Sequence, residues 1–220
     1  MPGEESGNAG IADLTAFQLE VAHLFFALPE SKGFLLAGGA ALLAQHLTTR
    51  PTEDLDFFTA PERGHVRAAR DALEAASRGR GWSIDRIHDS DTFCRLIVRG
   101  GDSRVLVDLA VNAPPDLPAS ATSAGPTLAR EELAGHKLLA LFDRAAARDF
   151  ADVYMLARRF GKDLLLARAA RIDAGFDPRV LADMLATLDR FRDNEIPVTD
   201  GSSMRELREF YMTWRSELTE

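Results

Sequence analysis

Apolar side chains recur at Leu14, Phe17, Val21, Leu24, Phe25 and Leu28, the spacing of a helix that buries one face; Asp13 stands at its N-cap and Pro29 at its end. The pattern then shortens. Residues 33–37 (GFLLA) predict a buried strand, Gly38-Gly39 a turn, and residues 40–47 a helix opening on that turn. Residues 50–53 read as loop and residues 54–59 (DLDFFT) as a second strand. Helical spacing returns at Val66, Ala69, Leu73 and Ala76, and Gly79 and Gly81 end it. Two β-type runs follow, 92–99 and 104–111, joined by Gly100-Gly101-Asp102-Ser103 in the manner of a hairpin.

Residues 113–126 carry four prolines among Ser, Thr and Ala and predict a linker. Beyond it the periodicity is helical throughout, over residues 128–142, 148–159, 164–172, 178–191 and 204–218. Asp177 before Pro178 reads as an N-cap with proline in the first helical position, and Ser203 with Glu206 as a capping box. The expected fold class is therefore α+β. A mixed α/β sheet domain spans residues 11–120, an all-helical domain spans 121–220, and residues 1–10 form a flexible tail.

Bulk properties narrow the function. Of 220 residues 46% are hydrophobic and 27% charged, the balance of a globular protein with a sizeable core. No run approaches the roughly 20 apolar residues of a spanning helix. Residues 1–10 have neither a basic start nor an apolar stretch, so they read as neither signal peptide nor anchor, and a cytoplasmic location is expected. The net charge of −8 counts against a large basic surface wrapping nucleic acid, and leaves residues 144–171 as the place for a local basic patch. The single cysteine, Cys94, excludes an internal disulfide and reads as a buried strand residue.

Chemistry concentrates in a few segments. Asp54 and Asp56 are two apart on a strand, so both project to one side while Leu55 and Phe57 enter the core. Two adjacent carboxylates repel unless a cation joins them, which suggests Mg²⁺. Asp-x-Asp alone is more often a turn or surface pair. Here Gly38-Gly39 precedes it by one helix, and a strand, glycine turn and helix start make an anion site. Asp108 interrupts the apolar run Val105 to Val111; it reads as a third carboxylate for metal or proton transfer, or as a harmless acid on an exposed edge. Arg50 and Thr52 can reach phosphates, although a loop arginine is commonly solvated. Lys137 lies among Leu133, Leu138 and Leu141, so its stem packs and its ammonium points into the cleft between domains. Arg148 and Asp152 stand four apart on a helix, as a surface ion pair or as part of a site.

Taken in order, LLAGGAALL, RPTEDLDFF, VLVDLAV and HKLLALFDRAAARDFADVYML resemble the AbiEii/AbiGii toxin family of nucleotidyltransferases over residues 33–160. The resemblance implies nucleotide binding at Gly38 and Gly39, Mg²⁺ at Asp54 and Asp56, and a site completed by Lys137, Arg148, Asp149 and Asp152. It implies a nucleoside triphosphate (NTP) as substrate, a tRNA or other RNA or a protein hydroxyl as acceptor, and an antitoxin as partner. Ala40 departs from the small hydroxyl residue that often follows Gly-Gly in the wider superfamily, and Thr52 replaces a serine. Two other readings remain open: a transferase for small, antibiotic-type acceptors, whose cleft rim would be acidic, and a catalytically silent nucleotide- or partner-binding module.

Overall fold

The structure, a computed structural model, describes residues 13–220; the tail expected over residues 1–10 lies outside the described residues. The first helix, α1 (Ala16–Phe26), is capped by Thr15 rather than Asp13. Thr15 and Gln18 exchange hydrogen bonds, each side-chain oxygen accepting from the other's backbone N–H. That reciprocal box requires a hydroxyl and a glutamine three apart, which Asp13 cannot supply.

The strands are β1 (Phe34–Ala37), β2 (Asp54–Thr59), β3 (Ser83–Asp89), β4 (Phe93–Gly100), β5 (Ser103–Val111), β6 (Ser120–Thr122) and β7 (Gly125–Thr127). Between them run α2 (Gly38–Ala44), which begins at Gly38 itself so that both glycines lie in its first turn, and α3 (Val66–Gly79). The seven strands form one sheet in the order β3-β4-β5-β2-β1-β7-β6. β2 runs parallel to β5 and antiparallel to β1.

Within the sheet, two features depart from the sequence reading. β3 carries no apolar alternation; it is an outer strand whose side chains are nearly all exposed, held by pairing with β4. The segment expected as a linker supplies the β6–β7 hairpin, which joins the sheet through Leu36 and Thr127. Its prolines stay out of the central ladder: Pro114, Pro115 and Pro118 lie before β6, and Pro126 faces only the outermost strand. The sheet thus runs on to Thr127, past residue 120.

One sheet face is buried against α1 and α3. Leu55 and Phe57 are fully enclosed there, with Phe57 stacked on Phe25 at 4.2 Å between ring centres. Strand alternation sends Asp54, Asp56 and Phe58 to the opposite face, toward the C-terminal helices. Those are α4 (Arg130–Arg144), α5 (Ala147–Phe160), α6 (Lys162–Ile172), α7 (Pro178–Ala186) and α8 (Met204–Thr219), with a 3₁₀ turn over Thr187–Arg190 where a longer helix was expected. Both expected caps form, at Asp177 and at Ser203 with Glu206. Tyr211 of α8 donates to the Phe150 carbonyl at 2.6 Å, fastening α8 to α5. Cys94 is buried within β4. No described helix is long and apolar enough to cross a membrane.

Candidate active site

A cleft of about 520 Å³ opens between the carboxylate face of the sheet and helices α4 and α5. Sheet register builds its floor. Asp56 lies beside Ala37 of β1 on one flank and Asp108 of β5 on the other. Gly38 has φ +60°, and a Cβ there would collide with the Asp56 carboxylate; glycine is what lets backbone and acid sit together. At Gly39 a Cβ would stand 2.7 Å from the Thr52 hydroxyl, so the loop before β2 also packs against bare backbone. The Thr52 hydroxyl donates to Asp54, and the Thr52 carbonyl accepts from the Gln18 side chain at 2.8 Å. Gln18 thereby anchors the loop before β2 to α1, a role no motif announced.

Burial, followed by the neighbouring Asp54 and Asp108 charges, pushes Asp56 up to about 7, against the opposing pull of Lys137 and Arg148. The acids are crowded, with too little positive charge among them.

The cations are organised from behind. Asp152 on α5 is fully buried and takes two of them: Arg50 donates through Nε at 3.0 Å and Nη2 at 2.9 Å, and Lys137 Nζ lies 2.8 Å away. Burial alone would raise the Asp152 pKa, yet Lys137 and Arg50 hold it below the usual carboxylate range. Arg50 is therefore no solvated loop residue, and Lys137 lines the cleft with its ammonium turned to Asp152. The i,i+4 pair of Arg148 with Asp152 does not form, because Asp152 faces inward. Arg148 instead extends across the cleft, 4.0 Å from Asp54. Asp149, also fully buried, accepts from Arg144 at 2.8 and 2.9 Å and from the Ala146 N–H at 3.3 Å, fixing the start of α5.

Asp108 sits on a central strand, which removes the exposed-edge reading. It is paired: Arg95 of β4 donates two hydrogen bonds to it, at 2.8 and 2.6 Å. Arg95 was not anticipated. The cleft rim bears both signs, with Arg95, Arg144 and Arg148 against Asp143 and Asp173. Burial and then the nearby Asp173 raise the Asp143 pKa, with Arg144 opposing.

Among the described residues no group of three or more His, Cys, Asp or Glu converges into a metal cage. The donors that do converge, two carboxylates short of positive charge beside bare glycine backbone, suit a small hard divalent cation that completes its shell with water and phosphate oxygen.

The fold is thus a mixed sheet with paired acids on β2, a third acid on the parallel strand β5 and cations lining the cleft above them. The model of the family "Nucleotidyl transferase AbiEii toxin, Type IV TA system" matches residues 22–215, and the chain belongs to that family. It is a nucleotidyltransferase. Among solved structures it is similar to JHP933 from Helicobacter pylori, at 20% identity and TM-score 0.53, covering 94% of this chain and 95% of that one. It is also similar to the nucleotidyltransferase toxin MenT4 from Mycobacterium tuberculosis H37Rv, at 18% identity and TM-score 0.59, covering 93% of this chain and 82% of that one. Both likenesses concern the fold. Comparison with curated proteins finds no match.

Proposed function

We propose that this nucleotidyltransferase moves a nucleoside monophosphate from an NTP to a hydroxyl of tRNA, of another RNA or of protein, as the toxin of a toxin–antitoxin pair whose antitoxin is a separate protein. The observation that carries the proposal is the cation-deficient pair Asp54–Asp56, set against Gly38-Gly39 and faced by Lys137, Arg50 and Arg148. Asp54 and Asp56 hold Mg²⁺, which supplies charge neutralisation on the phosphates when bound. The two glycines admit the triphosphate to close contact with backbone, and Thr52 keeps Asp54 oriented. Lys137 and Arg148 offset the charge that develops as the acceptor oxygen bonds to the α-phosphorus and pyrophosphate leaves. Asp152 and Asp149 act through the cations they position. Asp108 orients the acceptor hydroxyl or takes its proton, with Arg95 holding the carboxylate in place.

The test is label transfer from each of the four α-labelled NTPs with Mg²⁺ and total RNA, comparing wild type with Asp56→Asn. Label reaching RNA or protein only with wild type supports the reading; nucleotide binding without pyrophosphate release sinks it and favours the silent module. A small cationic acceptor is the second reading, and one observation favours it: Asp143 and Asp173 stand on the rim with no ion-pair partner among the described residues. Steep loss of activity with salt marks an RNA acceptor, and its absence a small one.

A further inference from the structure

Beside the cleft lies a second cavity, of about 350 Å³. Phe58, Asn112 and His136 line both. Their linings differ in kind. The cleft is charged, whereas the side chamber is floored by Leu35 and Phe58, which are neighbours across β1 and β2, and walled by Pro115, Leu117, Pro118 and Leu128. Only Arg63, an exposed side chain, brings a charge to its lining. Such a space rejects phosphate and suits a flat, uncharged ring.

Two polar groups face it with hydrogen-bonding capacity to spare. The His136 ring makes no side-chain hydrogen bond among the described residues and meets Phe58 edge-on, 5.8 Å between centres. Burial pushes its pKa down to about 4, so the imidazole is neutral at pH 7, with one N–H and one lone pair on offer. The Asn112 side-chain oxygen already accepts from the Ala113 N–H at 2.8 Å, which leaves the NH₂ group to donate.

We infer that this chamber seats the nucleobase of the donor NTP, with Leu35, Phe58 and the prolines against its faces and His136 and Asn112 reading its edge. The inference rests on the nucleotidyl-transfer reading above. Two placements favour the donor's base over the acceptor. Phe58 stands two residues beyond Asp56 on β2, about 7 Å along the strand, the room a ribose takes between α-phosphate and base. His136 immediately precedes Lys137 on α4, so one helix turn presents one side chain to the phosphates and the next to the chamber.

The experiment measures, by calorimetry with Mg²⁺, the affinity of non-hydrolysable analogues of all four NTPs and of inorganic tripolyphosphate, for wild type, Leu35→Trp, His136→Ala and Asn112→Ala. Filling the chamber with tryptophan is expected to weaken the best NTP analogue at least about tenfold while tripolyphosphate stays within about twofold. Removing His136 or Asn112 is expected to weaken that analogue about fivefold to tenfold and to narrow the spread among the four bases. Unchanged analogue affinity in Leu35→Trp and His136→Ala overturns the inference. Equal loss of both ligands in every variant also overturns it, as a purely structural role. A wild type that binds neither ligand is a separate result, since it removes the nucleotidyl-transfer reading itself.

Discussion

Two pairs of aspartates flank the cleft and live in opposite surroundings. Asp149 and Asp152 on α5 are fully buried and each is matched by cations: Arg144 for the first, Arg50 and Lys137 for the second. Asp54 and Asp56 on β2 have one hydroxyl donor and a distant Arg148 between them, and Asp56 is pushed up to about 7. The α5 acids are scaffold, satisfied in advance and used to aim positive charge. Those on β2 are left unsatisfied, which is the state of a group kept for a ligand. A sequence motif displays both pairs alike; only the count of charges around each tells them apart.

The sharpest way to break the contrast is to remove an acid from the satisfied pair. Asp152→Ala leaves Arg50 and Lys137 with buried, uncompensated charge, and a cost of about 3–5 kcal/mol is expected. Urea denaturation at pH 7 reads it, and a loss below about 1 kcal/mol would remove the scaffold role.

Removing an acid from the unsatisfied pair should do the reverse. Asp56→Asn is expected to lower turnover by about 10²–10³-fold while leaving the metal-free protein at least as stable as wild type. The pH dependence fixes the sign. A carboxyl whose folded pKa, about 7, exceeds its unfolded value near 3.8 binds more protons folded than unfolded, so its contribution is fully present below the unfolded value and is lost as pH rises to about 7. Wild type without metal should therefore lose stability relative to Asp56→Asn between about pH 4 and 7, and excess Mg²⁺ should restore it. For Asp152, with its pKa depressed, the contribution is present above the unfolded value and vanishes only as pH falls through the lower folded one. Melting temperatures of both variants across pH 3–8 test the opposed signs.

Glycine sets the distance between the unsatisfied pair and the helix start. Gly38→Ala demands a Cβ where the Asp56 carboxylate lies, in a backbone region that alanine rarely adopts, and about 1–3 kcal/mol of destabilisation is expected, together with weakened nucleotide binding. Nucleotide affinity that survives unchanged would mean that the close approach is incidental.

Much of this was legible in the sequence, and the rest was hidden for identifiable reasons. Period-two alternation put Asp54 and Asp56 on one face and buried Leu55 and Phe57. β3 escaped because an exposed outer strand needs no apolar face, and β6–β7 because proline-rich composition reads as tether while strand pairing is non-local. Partners of buried charge were the harder part: Arg50 and Asp152 are about a hundred residues apart, and nothing local in sequence joins them. Arg95 is different, since it was within reach. The turn that pairs Gly100 with Ser103 and Arg99 with Arg104 carries the register back to Arg95 opposite Asp108, so extending the hairpin four residues would have found it.

The smallest expected effect compares the two satisfied acids with each other. Both are buried, but Arg144 is half exposed whereas Lys137 and Arg50 are nearly enclosed. Water and salt screen the outer pair, and Asp149 keeps the Ala146 N–H when Arg144 is lost. Arg144→Gln is therefore expected to cost no more than about 1 kcal/mol, or about 2–4 °C in melting temperature, with the difference shrinking as salt rises. A much larger, salt-independent loss would place Arg144 with Lys137 as an enclosed cation and make the start of α5 as rigid a part of the site as its second turn.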